Sequence, residues 1–145
     1  MGAVDNVRLV GFTVGQMMTV LAAGERAEER WLHETGQWTE TRAFFVERAG
    51  FGDRETARGR LTEFGQDLRF GTSTPDEPDA ADWWRAHGLA DSVLDGAWPK
   101  VLVLAEQIAD RQTLPGDEAA ALCGVANPPP RPTQPSAGDE DRTSR

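Results

Sequence analysis

Apolar positions along this chain recur at spacings of three and four residues, and no convincing run alternates with polar ones. That period belongs to helices buried on one side. The pattern therefore predicts an all-α protein, a single bundle of about five to six helices without internal repeats. Thr13 is placed to cap the first helix. Val14, Met17, Met18 and Leu21 form its buried face, continued by Val20, Gly24, Ala27 and Trp31. Gly24 weakens a helix interior by about 1 kcal/mol relative to alanine. Its expected compensation is a neighbouring helix lying close at Ala23-Gly24, and Gly36 reads as the stop.

A second helix is predicted from Thr39 or Glu40 to Ala49, with Phe44 and Phe45 inward and Gly50 ending it. Asp53 stands where it can cap a third helix, whose stripe runs Ala57, Leu61, Phe64, Leu68. Turn formers and prolines from Phe70 to Asp79 predict a loop. A fourth helix starts near Ala80 and presents Trp83, Ala86, Ala90 and Val93 or Leu94. Trp98-Pro99 is expected to break or bend it, because proline suits the first turn of a new helix. Val101, Leu104, Ala105 and Ile108 give that fifth helix its apolar face, and a last short helix runs from Asp117 or Glu118 to Cys123-Gly124.

Composition narrows the picture. Of 145 residues 39% are hydrophobic, and five of the nine prolines stand at 128, 129, 130, 132 and 135 among polar residues. Such a segment buries too little apolar surface to offset its ordering entropy. The expected organisation is a helical domain over 1–125 and a disordered Pro-rich tail over 126–145. The formal net charge of −9, with Lys100 the only lysine, speaks against nucleic acid, whose binding rests on neutralised phosphates, and against anionic membrane. The arginine excess can serve bidentate recognition but reads first as the codon bias of a GC-rich bacterium. Leu9 to Gly24 is uncharged, but Thr13, Gly15, Gln16 and Thr19 interrupt its apolar run, so it is not read as a signal peptide. Cys123 is alone and reads as a buried structural thiol, and without a disulfide framework the expected compartment is the cytoplasm.

Several stretches carry a family resemblance over Val14 to Leu122. Ala23-Gly24-Glu25-Arg26-Ala27-Glu28 resembles the Ala-Gly-x-x-Ala-Glu stretch of FtsH-type zinc metallopeptidase domains. Gly50-Phe51-Gly52-Asp53 is similar to that family's turn into a helix, whose aspartate is the third zinc ligand. Leu104-Ala105 followed by Thr113-Leu114-Pro115-Gly116-Asp117-Glu118 resembles its last helix pair, and Trp98-Pro99-Lys100-Val101 looks like soluble bacterial relatives. The resemblance implies a helical fold and places Asp53 as a metal ligand. The family's His-Glu-x-x-His helix is missing, since no histidine precedes Leu21, and the Glu28 to Asp53 interval is longer than usual. A phosphate loop of the Gly-x-x-x-x-Gly-Lys-Ser/Thr kind is also missing.

The remaining candidates have plain readings beside their functional ones. His33-Glu34-Thr35-Gly36-Gln37 differs from a zinc motif at Gln37, a poor ligand, and Gly36 weakens the helix that would put both ligands on one face. His87 reads as a surface or hydrogen-bonded histidine, and Glu25, Glu28 and Glu29 with Arg26 and Arg30 as a solvated, paired helix face. Trp83 and Trp84 cannot both face one core. Trp84 is either a partner-binding anchor or packed under the 70–79 loop. A catalytic zinc needs three protein ligands, so no catalytic or cofactor-binding residue is assigned and no cofactor is expected. The expectation is a non-catalytic helical protein that resembles a truncated FtsH-type domain and binds a protein partner or itself. The alternative is one component of a split zinc metallopeptidase, or one whose true start lies upstream, with Asp53 completing a site whose histidines come from elsewhere. A small phage or mobile-element protein without that ancestry is the third reading.

Overall fold

A computed structural model describes residues 12–126. The stretch before Phe12 and, Ala126 apart, the predicted tail lie outside them. The described residues form five helices: α1 (Val14–Glu34), α2 (Glu40–Ala49), α3 (Phe51–Glu63), α4 (Trp83–Arg111) and α5 (Gly116–Cys123). The helical class read from the pattern holds, and the one strand-like pairing described is an isolated bridge between Arg69 and Asp82. No helix among the described residues is long and apolar enough to cross a membrane. The chain divides into two compact units, Met1–Trp98 and Pro99–Arg145.

In the first unit α1 opens with a reciprocal cap. The Gln16 N–H donates to Thr13 Oγ1 at 3.2 Å, and the Thr13 N–H donates back to Gln16 Oε1 at 2.9 Å. Met17, Met18 and Ala22 then pack with Ala57 and Leu61 of α3 and with Trp83, Ala86 and Ala90 of α4. The many alanines let the helices close on Trp83, whose side chain is fully buried. Past Met18 the buried face of α1 runs through Ala22, Glu25 and Leu32, not through the predicted Val20, Gly24 and Trp31, which are exposed. The buried glutamate, invisible to a hydrophobicity pattern, accounts for the shift.

Left-handed glycines end two of these helices. Gly36 (φ 66°) and Gly65 (φ 67°) let the Gln37 and Gln66 N–H groups donate to Leu32 and Leu61 carbonyls, both at 2.9 Å. Helix α3 therefore stops before Phe64, which is exposed, while Leu68 packs on the core from beyond the helix. In α2 the inward residue is Val46, and Phe44 and Phe45 point out. Four consecutive apolar residues, Ala43 to Val46, cover most of a helix turn, so periodicity alone could not choose the face. At Gly24 a built Cβ meets only Asp53 Oδ2, at an ordinary 3.9 Å. Gly24→Ala is accordingly expected to stabilise the protein by about 0.5–1 kcal/mol in denaturant titration.

The 70–79 loop is present as predicted, and two aspartates organise it. Asp82, fully buried, accepts from the N–H groups of Gly71, Ser73 and Trp84 at 2.8, 2.8 and 3.0 Å. Burial raises its pKa, but those three donors outweigh it and leave the carboxyl below its ordinary range. Asp79 takes Arg69 in a two-pronged pair, which holds its carboxyl far below the usual carboxylate range.

Of the break or bend predicted at Trp98-Pro99, the break does not occur: α4 is continuous through Pro99. Proline removes the hydrogen bond to the Asp95 carbonyl. Asp95, Gly96 and Pro99 are all exposed, so water can serve that carbonyl, and two predicted helices become one. In the second unit Val101, Leu104, Leu114, Ala119, Ala120 and Cys123 are partly buried, and none of its described residues is fully so. Cys123 is thus half-covered, not the buried thiol expected. Gly124 (φ 65°) closes α5, with the Val125 N–H donating to the Ala120 carbonyl.

Candidate functional site

Glu25 is the most unusual side chain of the first unit. It lies on the inner face of α1 with its side chain 8% exposed, and its Oε2 accepts from Arg54 Nη1 at 2.8 Å. Arg54, one turn into α3, also donates through Nη2 to the Glu47 carbonyl of α2. One guanidinium thus ties three helices. Burial raises the pKa of Glu25, Arg54 opposes that, and Glu47 and Glu29 add to it. The close fit also explains Gly50, because a Cβ there would collide with Glu25 Oε2. Gly50→Ala should cost about 1–3 kcal/mol in denaturant titration, since Glu25 must give way in a packed site.

His87 of α4 approaches from the other side. Its Nε2 is buried, has no hydrogen-bond partner, and stands 3.7 Å from Glu25 Oε1, beyond bonding distance. The ring packs edge-on against both Trp83 and Trp84. Burial, then Arg26 and Arg54, push its pKa down to about 4, with Asp91 opposing. At neutral pH it is an uncharged, mostly covered imidazole, neither of the two states expected from the sequence. Alongside runs a ladder of ion pairs between α1 and α4. Arg26 Nε meets Asp91 and Arg30 Nη1 meets Asp95, both at 2.8 Å, while Arg26 also holds Glu29 and Arg30 holds Glu34. Repeating every four residues on both helices, the ladder keeps the two in register.

Glu25, Arg26, Glu29 and His87 floor a cleft of about 450 Å³ between α1, α2 and the start of α4. Trp38, Phe44 and Trp84 stand around it, 40%, 55% and 52% exposed. Trp38 stacks on His33 at 5.3 Å, and Trp84 meets Phe70 of the loop edge-on at 5.5 Å. Half of the Trp84 surface is free, and the rest lies against the loop and His87. Trp83 is wholly internal, so the two tryptophans do divide between core and surface.

The residues singled out for metal chemistry do not gather. Asp53 is not a cap: Gly50 precedes α3, and Asp53 sits inside its first turn. It lies beside Gly24, partly buried, with burial raising its pKa against the pull of Arg54. Two of the stretches that carry the metallopeptidase resemblance are thus neighbours, but among the described residues Asp53 brings no companion ligands. Among the described residues no group of three His, Cys, Asp or Glu side chains is placed to hold a metal ion. The described residues therefore offer no three-ligand set of the kind a catalytic zinc needs. His33 and Gln37 are not on one helix face either, because α1 ends at Glu34 and Gly36 turns left-handed.

No protein-family model matches the chain, and neither a curated protein nor a solved structure does.

Proposed function

We propose that this chain is a non-catalytic helical protein that resembles a truncated FtsH-type metallopeptidase domain and acts by protein–protein interaction through the α1–α2–α4 cleft. One observation carries the reading: both arginine–carboxylate groups on the floor of the cleft are paired internally while its aromatic rim is open. Glu25 is held by Arg54, and Arg26 by Glu29 and Asp91. Trp38, Phe44 and Trp84 meanwhile leave about half their surface in solvent. Half-exposed tryptophans around a concave surface are the residues that anchor interfaces. Panning a displayed library of random peptides against the full chain should return binders that Trp84→Ala loses. A library that returns no cleft-dependent binder overturns the reading.

A second reading is favoured by the position of Asp53 against Gly24. In it the chain is one component of a split zinc metallopeptidase, its histidines supplied by another polypeptide. Its test is the neighbouring coding sequence. A reading frame ending in a His-Glu-x-x-His helix, whose product together with this chain cleaves unfolded casein in the presence of zinc, establishes it. An inactive mixture removes it.

A further inference from the structure

We infer that the α1–α2–α4 cleft receives a lysine or arginine side chain from a basic segment of a partner protein. The inference rests on the protein-binding reading above and adds the chemistry of the partner. Its first support is a stripe on α2. Glu40, Phe44 and Glu47 follow at spacings of four and three, so one face of that helix brings two carboxylates and an aromatic ring to the cleft. Glu25, Glu29 and Glu34 of α1 are each met by an arginine. The side chains of Glu40 and Glu47 form no ion pair among the described residues.

The floor adds an acceptor. Glu25 Oε2 is taken by Arg54, whereas Oε1 accepts no hydrogen bond among the described residues, with His87 Nε2 too far at 3.7 Å. The cleft thus offers unpaired carboxylate oxygens between aromatic rings, and no free positive group, because Arg26 is already shared between Glu29 and Asp91. An anionic occupant meets repulsion there. A wholly apolar one strips water from Glu40 and Glu47 without replacing it. A cation on a flexible stem satisfies both features: its head pairs with the carboxylates and lies against the ring faces, and its stem covers the apolar rim. The same unit already uses this contact internally, where Arg30 lies 4.5 Å from the centre of the Trp98 ring. The chain's net charge of −9 further favours encounter with a basic segment.

The test is fluorescence anisotropy with the full chain and a short synthetic peptide of lysine, serine and glycine, beside the same peptide with norleucine in place of lysine. The lysine peptide is expected to bind about tenfold more tightly and to weaken as salt is raised. The Glu40→Gln/Glu47→Gln variant, altered only at exposed side chains, should lose about tenfold with its thermal midpoint unchanged. Trp84→Ala should lose about as much. Equal binding of the two peptides, or an unaltered affinity in the double glutamine variant, overturns the inference. So does free lysine binding as tightly as the peptide, which removes the protein partner. If library panning gives cleft-dependent binders that are neutral or acidic, the protein-binding reading stands and this inference falls. If it gives none, both fall.

Discussion

Replacing Arg54 with methionine is expected to destabilise the protein by about 3–5 kcal/mol, the largest effect of any single polar substitution in the first unit. The Arg54 and Glu25 side chains are 16% and 8% exposed and 2.8 Å apart. Removing the guanidinium strands a carboxylate that burial already holds above its ordinary pKa. It also frees the Glu47 carbonyl that Arg54 serves. The Glu25 pKa then rises further, so the variant should regain stability as pH falls, as a raised folded-state pKa requires. Adding Glu25→Gln to Arg54→Met should restore much of the loss, because the buried charge is gone. Urea titrations of the two variants at neutral pH check this. Equal loss in both would mean that packing, not charge, sets the cost.

The second large effect is a fall in stability with acid that His87 controls. Its folded-state pKa is pushed down to about 4 from an ordinary 6.5. Below 6.5 the unfolded chain therefore binds a proton that the folded chain refuses. Stability is full above the unfolded value and declines as pH drops from 6.5 towards 4, by about 3 kcal/mol for a gap of this size. Glu25 Oε1, 3.7 Å away, is too far to hold the imidazolium by a hydrogen bond. Asp79 and Asp82, both depressed, lose their contributions only below about 3.8, the ordinary aspartate value. Comparing wild type with His87→Gln from pH 7 to pH 4 isolates the histidine. The stability difference between the two proteins should shift by about 3 kcal/mol across that range in favour of the variant. A constant difference would contradict the buried neutral imidazole.

Much of the fold was legible because helix signals are local. Thr13 as a cap, Gly36 as a stop, the Phe70–Asp79 loop and the inward positions of Met17, Met18, Ala57 and Leu61 follow from residue type and period alone. What escaped depended on partners distant in sequence. Glu25 reads as solvent-facing until Arg54, twenty-nine residues on, is placed beside it. Phe44 and Phe45 read as core until Val46 is seen to take the inner position. Asp82 gave no signal, since its three backbone donors come from a loop without periodicity. Pro99 followed a sound rule that a solvated carbonyl relaxed. Of the site, Trp84 was foreseeable as the odd member of a Trp-Trp pair. His87 was named, but in the wrong environment, because its neighbours Arg26, Arg54 and Glu25 lie on other helices.

Calorimetric titration of the full chain with zinc at neutral pH tests the non-catalytic account most directly. The account predicts no saturable one-to-one binding, with Asp53→Asn indistinguishable from wild type. A tight one-to-one isotherm that Asp53→Asn abolishes would contradict it.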